Sequence, residues 1–120
     1  MFGAEEVGLL GAKAYAKQHE GDLANYVVAT ESDFGAGSIW QLNSNVNDEA
    51  TVLIDQIGLL LSPLGIVRGG SNVKGGGPDI IPLDAKGVPT IRLAQNGMDY
   101  FDLHHTPDGT LDKIKPDELA

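Results

Sequence analysis

At 120 residues the chain has room for one domain with a real core, and not for two independent ones. Its 17 acidic against 8 basic side chains leave a net charge of −9, which argues against nucleic-acid or membrane-surface partners and points to a cation. With no cysteine, a disulfide framework and a thiolate metal site are both excluded, so any metal must be held by His, Asp and Glu.

The short apolar segment directly after Met1 reads as the end of a strand, and Glu5 and Glu6 follow it. Acids here are also what the first turn of any helix favours, because they offset the positive end of its dipole. From 7 to 19, Val7, Leu10 and Ala14 recur at helical spacing, with Lys13, Lys17 and Gln18 left for solvent and Gly21 as the stop. Residues 25–30, Asn-Tyr-Val-Val-Ala-Thr, form a β-rich run without Gly or Pro, as in a strand covered on both faces. That run closes on Glu31-Ser32-Asp33.

Residues 34–47 have loop composition, with Trp40 either packed on the domain or walling a pocket. The helix that follows is the best marked in the chain. Ala50, Leu53, Ile54, Ile57, Leu60 and Leu61 keep helical spacing, Asn47 stands as N-cap, Asp48 and Glu49 occupy the first turn, and Pro63 stops it. Its apolar run at 57–61 is far too short to span a bilayer. The glycine-rich stretch 69–78 suggests a phosphate cradle but fits neither phosphate-binding template. Asp79 then reads as the cap of a short helix to Lys86, with Gly87 just past its end, and 88–93 as a strand. The His104-His105-Thr106 triplet comes next, and Pro116 is placed to open a last helix.

Strands alternating with helices predict an α/β fold, residues 1–120 forming a single unit with a largely parallel sheet flanked by helices. Ligands in such sheets gather beyond the carboxyl ends of the strands, where Glu5, Glu6, Asp33 and His105 fall. Oxygen and nitrogen donors of this kind suit Zn²⁺, and a neighbouring carboxylate can take the proton of an activated water. A surface or capping histidine is the plain alternative for His105 taken alone.

Taken in order, Gly3-Ala4-Glu5-Glu6, Glu31-Ser32-Asp33, Gly75-Gly76-Gly77-Pro78-Asp79-Ile80, Gly87-Val88-Pro89, Gln95-x-Gly97-x-Asp99-Tyr100-Phe101-Asp102 and His104-His105-Thr106 resemble the C-terminal half of the M28 zinc peptidases. The likeness is greatest to the branch containing plasma glutamate carboxypeptidase and bacterial aminopeptidase-like relatives. It implies a partial three-layer sandwich with Glu5 as general base, Glu6 and His105 on one zinc, and Asp33 on the other. His104, Tyr100 and Asp108 would line the pocket or brace a ligand.

Two departures stand out. Gly109 occupies the place of an acid that follows the histidine in the family, which puts the orientation of His105 in question. No counterpart of the family's upstream His ligand and bridging Asp is present, His19 having the wrong surroundings. The expectation is therefore part of a di-zinc exopeptidase, holding at most one zinc weakly and nearly inactive alone, with peptide as substrate once an N-terminal half completes it. The alternative is a noncatalytic module that self-associates, a homo-oligomer being expected on either reading because part of the sheet is missing. Members of the branch are commonly secreted or periplasmic, and no leader pattern opens this sequence.

Overall fold

The computed structural model describes residues 2–74 and 76–118. Its elements run α1 (Leu10–Gln18), β1 (Ala29–Glu31), β2 (Ile39–Asn45), α2 (Asp48–Leu61), β3 (Val67–Arg68), α3 (Ile81–Asp84), β4 (Thr90–Gln95) and α4 (Tyr100–Leu103), with 3₁₀ turns between several of them. The four strands form one sheet in the order β1-β4-β2-β3. The β1–β4 and β2–β3 pairs are parallel, while β2 and β4 run antiparallel, so the sheet is mostly parallel by pairing but has an antiparallel centre.

Helices cover both faces, as a layered α/β fold requires. Leu42, Ile91 and Leu93 pack with Ile54 and Ile57 of α2 and with Ile66 on one side. Asn45 and Thr90, pointing the other way by the two-residue period of a strand, bond Asp84 of α3. On that side Ala16 of α1 joins Leu23, Ile80, Leu83 and Val88 in a second core. Leu42 is wholly enclosed, and burying a leucine contributes about 1.5–3 kcal/mol. Helix α2 forms as its sequence predicts: the Asn47 side chain accepts a 2.8 Å bond from the Ala50 amide, and the chain turns out of the helix at Ser62–Leu64.

Several elements differ from the sequence expectation. The largest correction is β2, the seven-residue strand that replaces a predicted loop and puts Trp40 on a strand, half exposed. Its Asn and Ser residues disfavour strands in general, yet here their polar groups are satisfied by distant partners. Asn43 accepts from the Gly70 amide at 2.9 Å, and Ser44 accepts from the Arg68 guanidinium at 3.1 Å. The glycine-rich stretch thus packs against this strand: a Cβ on Gly69 would lie 2.3 Å from the side-chain Oδ1 of Asn43.

The strand expected at 25–30 shrinks to Ala29–Glu31, because its partner β4 begins only at Thr90 and Leu23–Asn25 coil into a 3₁₀ turn. The strand expected at 88–93 lies correspondingly later, at Thr90–Gln95. Helix α1 starts at Leu10 rather than residue 7, so no acid sits in its first turn. No strand precedes α1 among the described residues, so the strand end expected just after Met1 is not formed there. The helix expected from 79 divides into a 3₁₀ turn at Pro78–Ile80 and a single turn of α3. Beyond Pro116 only a turn is described, to residue 118, and the rest of the expected last helix lies outside the described residues.

Candidate metal centre

Glu5 and Glu6 stand in a tight turn ahead of α1 rather than in the helix. The amides of Gly8 and Leu9 both donate to the Glu5 carbonyl, at 3.0 and 2.9 Å. Ala4 and Leu9 on either side adopt φ of 61° and 59°, the left-handed region that L-residues enter at a cost. The turn is closed by the Gly11 amide donating to the Gly3 carbonyl at 3.0 Å. Only glycine fits at 11, since a Cβ there would lie 2.6 Å from the Gly3 oxygen. The glycines flanking the acid pair therefore shape the turn that presents it.

Across the cleft, His105 brings its Nε2 to 2.9 Å from Glu6 Oε1, joining residues 99 positions apart. His105 also has a left-handed φ, 56°. The donor atoms of Glu6, His104 and His105 all lie within 4.8 Å of one another. His104, read from sequence as a pocket group, thus stands beside the two expected ligands as a third donor. Asp33 lines the same cleft, as do Glu5 and Tyr100, but Asp33 is outside that close trio. Asp108 is not among the residues lining the cleft, and its carbonyl accepts from the Thr110 amide in a local turn.

The cleft has a volume of about 890 Å³, and its walls carry Glu5, Glu6, Glu31, Asp33 and Asp79 with no Lys or Arg among the described residues. Burial, and then repulsion from Glu6, Asp33 and Asp79, raises the Glu5 pKa above the usual carboxylate range, only partly opposed by His105. Burial followed by Asp33, Glu6 and Glu5 likewise raises the Tyr100 phenol. One buried oxygen of Asp79 has no hydrogen-bond partner among the described residues. Oxygen and imidazole donors converging in a field of like charge fit a divalent cation, zinc among them.

Sequence reasoning missed two contributors. Glu31, not Asp79, caps the turn at Pro78–Ile80: its Oε2 accepts the amides of Asp79 and Ile80 at 2.8 and 3.2 Å. Burial nevertheless raises the Glu31 pKa, outweighing those two bonds. Phe34, directly after Asp33, stacks on Tyr100 with ring centroids 4.3 Å apart. An aromatic residue directly after a strand-end acid was the available signal.

Residues 1–120 match Peptidase family M28. The chain belongs to that family. Carboxypeptidase Q from Homo sapiens is 30% identical over 119 residues, covering 99% of this chain and 25% of the relative. The Bos taurus protein of that name is 29% identical over the same span. A crystal structure of a peptidase M28 precursor from Shewanella amazonensis SB2B is 50% identical with a TM-score of 0.93, covering 99% of this chain and 27% of that one. The chain thus spans about a quarter of the length of these M28 proteins. The α/β sheet described above matches part of that M28 structure.

Proposed function

We propose that this chain carries part of the centre of a di-zinc metallo-exopeptidase, with Glu5 as general base, Glu6 and His105 on one zinc, and Asp33 toward the other. The observation that supports this most directly is the Glu6–His105 contact of 2.9 Å at the edge of an acidic cleft. Zinc held there would polarise a scissile carbonyl and make a water acidic enough to attack at neutral pH. Glu5, beside Glu6 in the turn, would accept the proton of that water as general base. His104 lies close enough to donate to the same ion as Glu6 and His105. Tyr100 walls the cleft against which a peptide would lie.

On this reading the remaining ligands come from residues outside this sequence, and the chain alone holds at most one zinc weakly and turns over little or no substrate. Calorimetry with Zn²⁺ tests the site: binding by the wild type that disappears in His105→Ala supports it, and no binding by the wild type counts against it. Hydrolysis of an aminoacyl or dipeptide substrate by the purified chain with Zn²⁺, abolished by Glu5→Gln, would overturn the expected inactivity.

A second reading, a noncatalytic module that self-associates, is favoured by apolar exposure. Val27 beside the edge strand β1 is 85% exposed, and Leu59 and Leu60 of α2 are 75% and 78% exposed. Surfaces of this kind are ordinarily covered by a partner. A homo-oligomer follows under either reading, and light scattering that returns a monomer at high concentration would remove it.

A further inference from the structure

Phe34, Tyr100, His104 and His105 stand in a single file of stacked rings. Successive centroids are 4.3, 4.4 and 3.8 Å apart and successive planes differ by 19°, 23° and 25°. Phe101 packs edge-on against Phe34 and Tyr100, at 6.2 and 5.2 Å. Two glycines leave room for the file. A Cβ on Gly97 would lie 2.2 Å from the Phe34 ring, and one on Gly35 would lie 3.1 Å from the ring of Tyr100.

We propose that this file of rings is the positioning device for His105. The His105 side chain is 60% exposed, so the packed interior does not hold its ring. A ligand histidine is ordinarily oriented by an acceptor behind it, and residue 109 cannot supply a carboxylate here. A Cβ at Gly109 would lie 2.7 Å from the Leu103 carbonyl oxygen, so this turn admits no side chain at that position. What fixes the imidazole is Glu6 at its Nε2 and the face of His104, which in turn rests on Tyr100 and Phe34. Stacking restricts the ring's rotation without asking for a buried acceptor. Tyr100 and Phe34 are accordingly positioning residues that act through His104.

The stack itself stands independently of the zinc reading; its consequence for metal affinity rests on that reading. The test uses the whole chain and two readouts. In metal-free protein, the aromatic protons of His105 should show ring-current shifts that move toward those of a free imidazole in Tyr100→Leu and in Phe34→Leu, and stay in place in Tyr100→Phe. In Zn²⁺ calorimetry, Tyr100→Leu should lose about 10–100-fold in affinity, the range usual for groups that orient a ligand, and Tyr100→Phe should stay within about twofold of wild type. Phe34→Leu, one ring further off, serves if Tyr100→Leu does not fold. Free-histidine shifts for His105 in the wild type, or shifts unmoved in a folded leucine variant, would overturn the proposal. Shifts that respond as expected in a protein that takes up no zinc would uphold the stack and reject the metal centre instead.

Discussion

The slab made by β2, β4 and α2 and the rim that carries Glu5, Glu6, His104 and His105 are built on opposite terms. In the slab Leu42 is 0% exposed and Ile54 5%, and the backbone lies in regular strand and helix. On the rim the His105 and Glu6 side chains are 60% and 66% exposed, and Ala4, Leu9 and His105 hold left-handed backbone angles. Burial holds the first together; turns, stacked rings and the Glu6–His105 contact hold the second. Folding energy and ligand geometry are thus separated, as expected where a rigid scaffold presents functional loops.

The sharpest way to break that comparison is to cut each region once. Leu42→Ala removes the centre of the slab and should cost about 2–5 kcal/mol, a large part of the stability of a domain this size. His105→Ala should cost about 0.5 kcal/mol or less, as exposed positions generally do, while abolishing zinc uptake. Denaturant melts of the two variants, followed by the single Trp40 on β2, check both expectations. Equal losses of stability would show that the rim is part of the core after all.

A smaller effect should come from the junction between the regions. In Gly11→Ala the new methyl group would run into the Gly3 backbone, so the turn that presents Glu5 and Glu6 must shift. Overpacking of this kind costs about 1–3 kcal/mol. Here it should weaken zinc binding as well, while leaving the Trp40 environment as in wild type. A melt and a Zn²⁺ titration on one preparation decide the matter, and an unchanged affinity would mean that the Gly3–Gly11 closure does not set the acid pair.

Legibility in the sequence followed the same division. Helix α2 was readable because cap, periodicity and stop are all local signals that agree at Asn47, Leu53–Leu61 and Pro63. The acid pair, Asp33 and His105 read as strand-end groups and as a family pattern; the fold brings all four to one cleft, but among the described residues only Asp33 follows a strand. Strand β2 was not readable, because Asn43 and Ser44 are tolerated in the sheet only through Gly70 and Arg68, partners more than twenty residues away. The capping role of Glu31 was hidden for the same reason, its acceptors' partners being Asp79 and Ile80. Position 109 read as a missing acid, whereas the fold shows a turn too close to Leu103 for any side chain.

The mildest test concerns how α1, which follows the acid turn, is fastened to the rest. The hydroxyls of Tyr15 on α1 and Tyr26 before β1 bond each other at 2.6 Å. That bond, then burial and the neighbouring Tyr15 and Asp22, push the Tyr26 pKa from 10.0 up to about 12. Because the folded value is the higher one, the neutral pair contributes its stability in full below about pH 10. The contribution is lost as pH rises through the window between 10 and about 12, where the unfolded chain ionises first. Denaturant midpoints should therefore fall across that window in the wild type and fall less in Tyr26→Phe. Tyrosinate absorbance should show a late-titrating step in the wild type that is missing from the variant. Tyr15 and Tyr26 pack against the second core, on the face of the sheet opposite α2, so midpoints that fall equally in the wild type and in Tyr26→Phe would show that the hydroxyl bond does not fasten α1.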